Sequence, residues 1–165
     1  MNSDAGAYID PMRIFPLLAA LLLLLAAPAR ADFTTGLAAY DGGDYAMAFD
    51  EWLPLAQGGD AEAQIAVADL YTQGYGVPRN PAKAVHWYKR AALRGAVVAQ
   101  INLGDMYARG LGVAQDLVKG RAWLRVAAQS GQEWAQKRFA ALGQKMTPDQ
   151  RAASLALSKK LLLKQ

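Results

Sequence analysis

The sequence has no cysteine and a single histidine among its 165 residues. No disulfide can form, so the fold must bury enough surface without covalent staples. Zinc sites of the usual kind, built from Cys and His, are excluded as well. Serine is scarce: beyond residue 31 only Ser130, Ser154 and Ser158 occur, all in helical context, and there is no G-x-S-x-G, so a serine hydrolase is not expected. Lys and Arg are missing between Asp32 and Pro78, where eight carboxylates lie, whereas from Arg79 onward 16 cations face four carboxylates. The chain is thus an electrostatic dipole along its sequence, about −8 and then +12. In an elongated fold that separation would steer an anionic partner toward the C-terminal end; the same charges read equally as solvated helix faces.

Long apolar runs are also rare, with one exception. After Arg13 comes IFPLLAALLLLLAAPARA, an apolar stretch behind a single cation that ends in Ala29-Arg30-Ala31. Small-x-small is the pattern that signal peptidase reads. Residues 1–31 are therefore expected to be a signal peptide cleaved after Ala31, giving a periplasmic or secreted chain. The competing reading is a membrane anchor, but Ile14 to Ala27 is 14 residues where a spanning helix needs roughly 20. No transmembrane span is expected after cleavage. Met12 offers a second start, since it would place a basic residue directly against the apolar core. No lipid-attachment cysteine follows.

What the chain does have is self-similarity. Residues 61–96 align without gaps on 97–132, with 13 identities in 36: Ala63/Ala99, Gln64/Gln100, Ile65/Ile101, Asp69/Asp105, Tyr71/Tyr107, Gly74/Gly110, Gly76/Gly112, Val77/Val113, Lys83/Lys119, Trp87/Trp123, Ala91/Ala127, Ala92/Ala128 and Gly95/Gly131. Ala135-Gln136 opens a third copy, and residues 43–64 repeat the second half of the unit, with Ala48 on Ala84 and Gly59 on Gly95. Each unit reads as two helices. Ala63, Val67, Leu70 and Tyr71 recur at helical spacing before Gly74 and Gly76 break the pattern. Asn80, matched by Asp116, is the expected N-cap of the second helix, with Pro81 at its first position. Ala84, Trp87, Ala91 and Ala92 form its buried stripe. A lone pair cannot bury both faces, so neighbouring pairs must stack.

The expected architecture is an all-α superhelix of about three to four stacked hairpins: an N-terminal hairpin over 32–60, repeats over 61–96 and 97–132, and a partial repeat with a C-terminal capping helix over 133–165. Thr147-Pro148-Asp149-Gln150 reads as the start of that last helix, with Thr147 capping and Gln150 closing the box. Ala152, Leu155 and Leu162 lie near one of its faces. A helix resting on an anionic membrane surface is the alternative to a cap.

AQIAVADLYTQGYGVPRNPAKAVHWYKRAALRG and AQINLGDMYARGLGVAQDLVKGRAWLRVAAQSG resemble Sel1-like repeats, relatives of the tetratricopeptide repeat, and GLAAYDGGDYAMAFDEW is similar to the tetratricopeptide form of the opening hairpin. The resemblance covers roughly 33–142. It implies an α-solenoid whose motif residues are core and turn positions. Two departures stand out: Ala68 where the family has glycine, and Gly120 where it has alanine. In a helix interior Gly120 should cost about 1 kcal/mol relative to alanine.

The chemical inventory is thin. His86, between Val85 and Trp87, reads as a helix-surface residue. The two Gly-x-Gly pairs lack a preceding strand and a third glycine, so a phosphate cradle fails on context. Asp69 and Asp105 could be paired carboxylates, but nothing in the sequence separates their pKa values. No catalytic residue, cofactor or metal is expected. What remains is recognition of a peptide or protein partner, or of an anionic envelope component at the basic end; nucleic acid drops out because export removes the chain from it. In stacked hairpins the first helices line the concave surface, which makes Ile65, Asp69 and Thr72 of one unit, Ile101, Asn102, Asp105 and Arg109 of the next, and Trp134, Lys137 and Arg138 beyond them the candidate contacts. The resulting expectation is a non-enzymatic interaction scaffold of the bacterial cell envelope. The alternative is an envelope enzyme acting on cell wall or small ligands, of the β-lactamase-like repeat type known among cysteine-rich relatives, whose paired cysteines this chain lacks.

Overall fold

A computed structural model describes residues Asp32–Lys164; the expected signal peptide and its Met12 start lie outside the described residues. Eight α-helices and no strands are found among them: α1 Phe33–Asp41, α2 Tyr45–Gly58, α3 Ala61–Gln73, α4 Pro81–Ala92, α5 Val97–Arg109, α6 Leu117–Ala128, α7 Glu133–Gln144 and α8 Pro148–Leu162. Each helix from α1 to α6 packs on the next, which is the hairpin row the repeat requires. The starts are written in side chains. Asp44, Asp60, Asn80 and Asp116 each accept from the backbone N–H three residues on, and Thr147 closes a full capping box with Gln150.

Alanine sets the spacing between helices. Ala63, Ala99 and Ala135, one unit apart, are each 0% exposed, so backbones approach where a larger side chain would hold them off. Trp87 and Trp123 belong to a single buried cluster that also holds Trp52, Leu70, Leu103 and Met106. The identical Tyr and Lys positions of the repeat meet across each hairpin: the Lys83 ammonium lies 5.1 Å from the centre of the Tyr71 ring, and Lys119 lies 5.7 Å from Tyr107. Exposed contacts of this kind contribute ~0.5–1 kcal/mol each.

Two buried glutamines join successive hairpins. Gln64 and Gln100 donate through Nε2 to the carbonyls of Ala56 and Ala92, at 2.9 and 3.2 Å. Those acceptors sit in the last turns of α2 and α4, where each also accepts from a backbone N–H at the helix end, Gly59 and Gly95, at 3.1 Å. The third copy lacks this contact, because Gln136 is exposed.

The second glycine of each loop does more than end a helix. Gly76 has φ +67°, and a Cβ there would lie 2.4 Å from the carbonyl carbon of Tyr45, at the start of α2; Gly112 has φ +71°, and its Cβ would lie 2.3 Å from the carbonyl carbon of Pro81, at the start of α4. Each loop therefore rests, backbone on backbone, on the preceding unit's second helix.

Gly120 requires a correction to its expected cost. It faces Gly104 across the α5–α6 crossing, where its Cβ would lie 2.8 Å from the Gly104 carbonyl oxygen. The equivalent pair in the preceding unit is Ala68 and Ala84, both 0% exposed. The second hairpin is thus closed more tightly, and Gly120 permits it.

The last helix also departs from expectation. α8 packs chiefly on α6 rather than pairing with α7, and its buried residues are Ser154 and Ser158, while Ala152 is exposed. The reason is Arg121, which stands where the preceding unit has Val85: its Nη1 donates to the Ser154 hydroxyl at 2.8 Å, and its guanidinium stacks 4.0 Å from the centre of the Phe139 ring. Leu155, Leu157, Leu161 and Leu162 are spread around the helix, so α8 presents no single apolar face of the kind a membrane-surface helix needs. No helix among the described residues is long and apolar enough to cross a membrane.

Two substitutions test these contacts. Gly131 has φ +78° but nothing within 4 Å of its Cβ position, so Gly131→Ala should cost only the left-handed strain, roughly 1–2 kcal/mol. Gly112→Ala should cost that plus a further 1–3 kcal/mol of overlap, read as the difference in urea unfolding free energy; equal costs contradict the stacking contact. Gly120→Ala should destabilise by about 1–3 kcal/mol, against the ~1 kcal/mol gain that helix propensity alone predicts, and a more stable variant contradicts the close crossing.

Candidate functional site

Three successive first helices, α3, α5 and α7, carry a groove made of two clefts. The smaller, about 210 Å³, is lined by Asp69, Thr72, Arg79, Tyr88, Asn102 and Arg109 among others; the larger, about 390 Å³, is lined by Arg109, Gln115, Leu124, Arg138, Leu142 and Lys145 among others. Asp105 and Arg109 border both. Six of the sequence-derived candidates therefore come together: Asp69, Thr72, Asn102, Asp105, Arg109 and Arg138.

The other four do not. Ile101 is 3% exposed and packs with Leu124, Ala127 and Ala135, so it is core and cannot touch a partner. Ile65, at the equivalent register, is half-buried against the main core. Trp134 is 43% exposed but lies outside the groove, its indole N–H donating to the Gln132 side chain. Lys137 forms a 2.7 Å ion pair with Glu133 on the exposed surface of α7. The sequence reading missed Tyr88, Arg79, Gln115 and Lys145. Tyr88 sits at the register of Trp52 and Leu124, so the column reads as apolar filler until its hydroxyl is seen facing Asp69.

The two aspartates, identical in sequence, have different surroundings. The Tyr88 hydroxyl donates to Asp69, and the side chains of Thr72 and Asn102 also reach that hydroxyl. Burial pushes the Asp69 carboxyl above its ordinary range, with the Tyr88 hydrogen bond acting in the opposite sense. Burial and the neighbouring Asp69 charge push the Tyr88 phenol well upward. One unit later Leu124 replaces Tyr88, and Asp105 forms an ion pair with Arg138 of α7. The expectation that nothing distinguishes the two carboxylates is thus corrected by the residues that face them.

The loops rimming the groove are pinned by side chains. Arg79 donates through Nε to the Thr72 carbonyl at 3.0 Å, and its repeat equivalent Gln115 donates to the Ala108 carbonyl at 2.9 Å. His86 is exposed and meets the Trp87 ring edge-on at 5.3 Å. Among the described residues no cluster of three or more His, Cys, Asp or Glu is placed to hold a metal ion.

The family model of the Sel1 repeat matches residues 61–95 and 97–132. The chain carries two Sel1 repeats. Among solved structures, the chain is similar to a protective antigen present in uropathogenic Escherichia coli strains and displaying an SLR fold, with TM-score 0.76, 24% identity, and coverage of 94% of this chain and 34% of that one. It is also similar to a Sel1 repeat protein from Oxalobacter formigenes, with TM-score 0.65, 27% identity, and coverage of 79% and 55%. The chain thus spans 34% and 55% of the lengths of those two proteins. No curated protein matches it. Sel1-repeat proteins generally act as protein-interaction scaffolds.

Asp69 supplies a pH test. Its folded-state pKa is raised from 3.8, so the folded chain holds this proton more tightly than the unfolded one, and stability declines as pH rises from about 3.8 through the raised value. Asp69→Asn removes that loss. The variant should gain in Tm on the parent as pH rises from 4 to 7 by ~1–4 °C; parallel profiles contradict the buried environment assigned to Asp69.

Proposed function

We propose that this chain is a non-enzymatic scaffold of the bacterial cell envelope that holds a peptide segment or protein partner in the groove across α3, α5 and α7. The observation that carries the reading is the groove itself: charged and amide side chains from three successive helices line one surface, while the repeated motif residues are spent on core and turns. The aspartates that would serve a hydrolytic reading are engaged by Tyr88 and by Arg138, and no histidine lies beside them. Export rests on the apolar stretch ending in Ala29-Arg30-Ala31.

A photo-crosslinking amino acid at Asn102, in the groove, should yield discrete adducts in native cells, whereas the same group at the exposed Lys89 of α4 should yield none above background. Adducts from position 89 alone contradict groove binding. The chain recovered from osmotic-shock fluid should begin at Asp32; an uncleaved chain held in the cytoplasm contradicts export and leaves the groove test standing.

A further inference from the structure

The groove's charge changes along its length because three columns of the repeat change identity together. The column that ends each first helix reads Gln73, Arg109, Lys145 at 36-residue intervals. The aspartate column reads Asp69, Asp105, Ala141, and the column facing it reads Ala66, Asn102, Arg138. In these columns the first helices gain three cations from α3 to α7 and lose their carboxylate, while the loop column passes from Arg79, which is bound to the Thr72 carbonyl, to Gln115. At the α7 end Asp105 is paired with Arg138, whereas Arg109 and Lys145 have no acidic partner among the described residues. Between these cations the larger cleft is floored by Ala108, Leu117, Leu124 and Leu142.

We infer that the groove takes a peptide segment carrying carboxylates beside apolar side chains, with its acidic residues at the α7 end; this rests on the scaffold reading above. Two unpaired cations flanking an apolar floor match that chemistry. Opposite charges across an interface steer encounter and fix register, while the apolar floor rewards a side chain that a plain polyanion lacks. At the α3 end the Asp69 carboxyl, held by the Tyr88 hydroxyl, offers an acidic segment no cationic partner of its own, so the binding direction is set.

The test is selection of a random twelve-residue peptide library on the purified full chain, followed by anisotropy titration of a fluorescein-labelled enriched peptide. Enriched sequences should place Asp or Glu next to Leu, Ile or Phe. Arg109→Glu with Lys145→Glu should weaken binding about tenfold or more, and so should Glu→Gln in the peptide. Binding should weaken as salt is raised. Ala141→Trp, which fills the larger cleft without changing charge, should abolish binding, with far-UV circular dichroism verifying that both variants are folded. Basic or uncharged peptides that Ala141→Trp still blocks would overturn the acidic assignment and leave the groove reading intact. Peptides indifferent to Ala141→Trp, or no enrichment over a blank surface, overturn both. Heparin competing as well as the acidic peptide assigns the site to polyanions and overturns the peptide.

Discussion

Everything in this molecule hangs on one backbone contact made twice. Gly76 lies against the start of α2 and Gly112 against the start of α4, and the two contacts are 36 residues apart at both ends. A chain segment can rest on another backbone this closely only where there is no Cβ, and it can turn there with positive φ at little cost only as glycine. Because each unit touches its predecessor through the same atoms, the same step repeats. The buried glutamines add the second point of each joint, since Gln64 and Gln100 bind carbonyls of the preceding hairpin. Two fixed points and a close alanine-lined approach leave little freedom in how hairpins stack.

That step places the groove. α3, α5 and α7 are equivalent helices, so residues at equivalent registers line one surface, and a substitution in one unit becomes a local change in an otherwise periodic surface. Tyr88 giving way to Leu124 releases Asp105 from the phenol, and Arg138 in the Asn102 column then takes it up. Periodicity supplies the surface, and the departures from periodicity give it character. The same logic ends the array. Gln136 is exposed and Arg121 occupies an apolar register, so the third hairpin does not close and α8 is held on α6 by hydroxyls and guanidinium groups.

Local chemistry was legible from the sequence and tertiary chemistry was not. Asn80, Asp116 and Thr147 cap helices because a short side chain reaches a backbone N–H a few residues away, which needs no knowledge of the fold. Gly74 and Gly110 close helices for an equally local reason. The second loop glycine looked like more of the same, because its role depends on a strand of backbone 31 residues away. Ile101 was misread as groove-facing: helical spacing gives faces, but which face meets the partially formed third hairpin depends on Leu124 and Ala135. Gly120 was misread as a flaw because its benefit lies across the crossing, at Gly104. Six of the ten candidates fall in the groove, since repeat equivalence located Asp69 and Asp105, but Tyr88 lay hidden in a column of apolar residues.

The most direct measurement is a set of proton nuclear Overhauser contacts on the isotope-labelled chain. The account predicts cross-peaks from the Gly112 α-protons to Pro81 and Ala82, and from the Gly76 α-protons to Tyr45 and Ala46. Helical chemical shifts throughout with both sets of cross-peaks absent would contradict it, because the hairpins would then be stacked by some other contact.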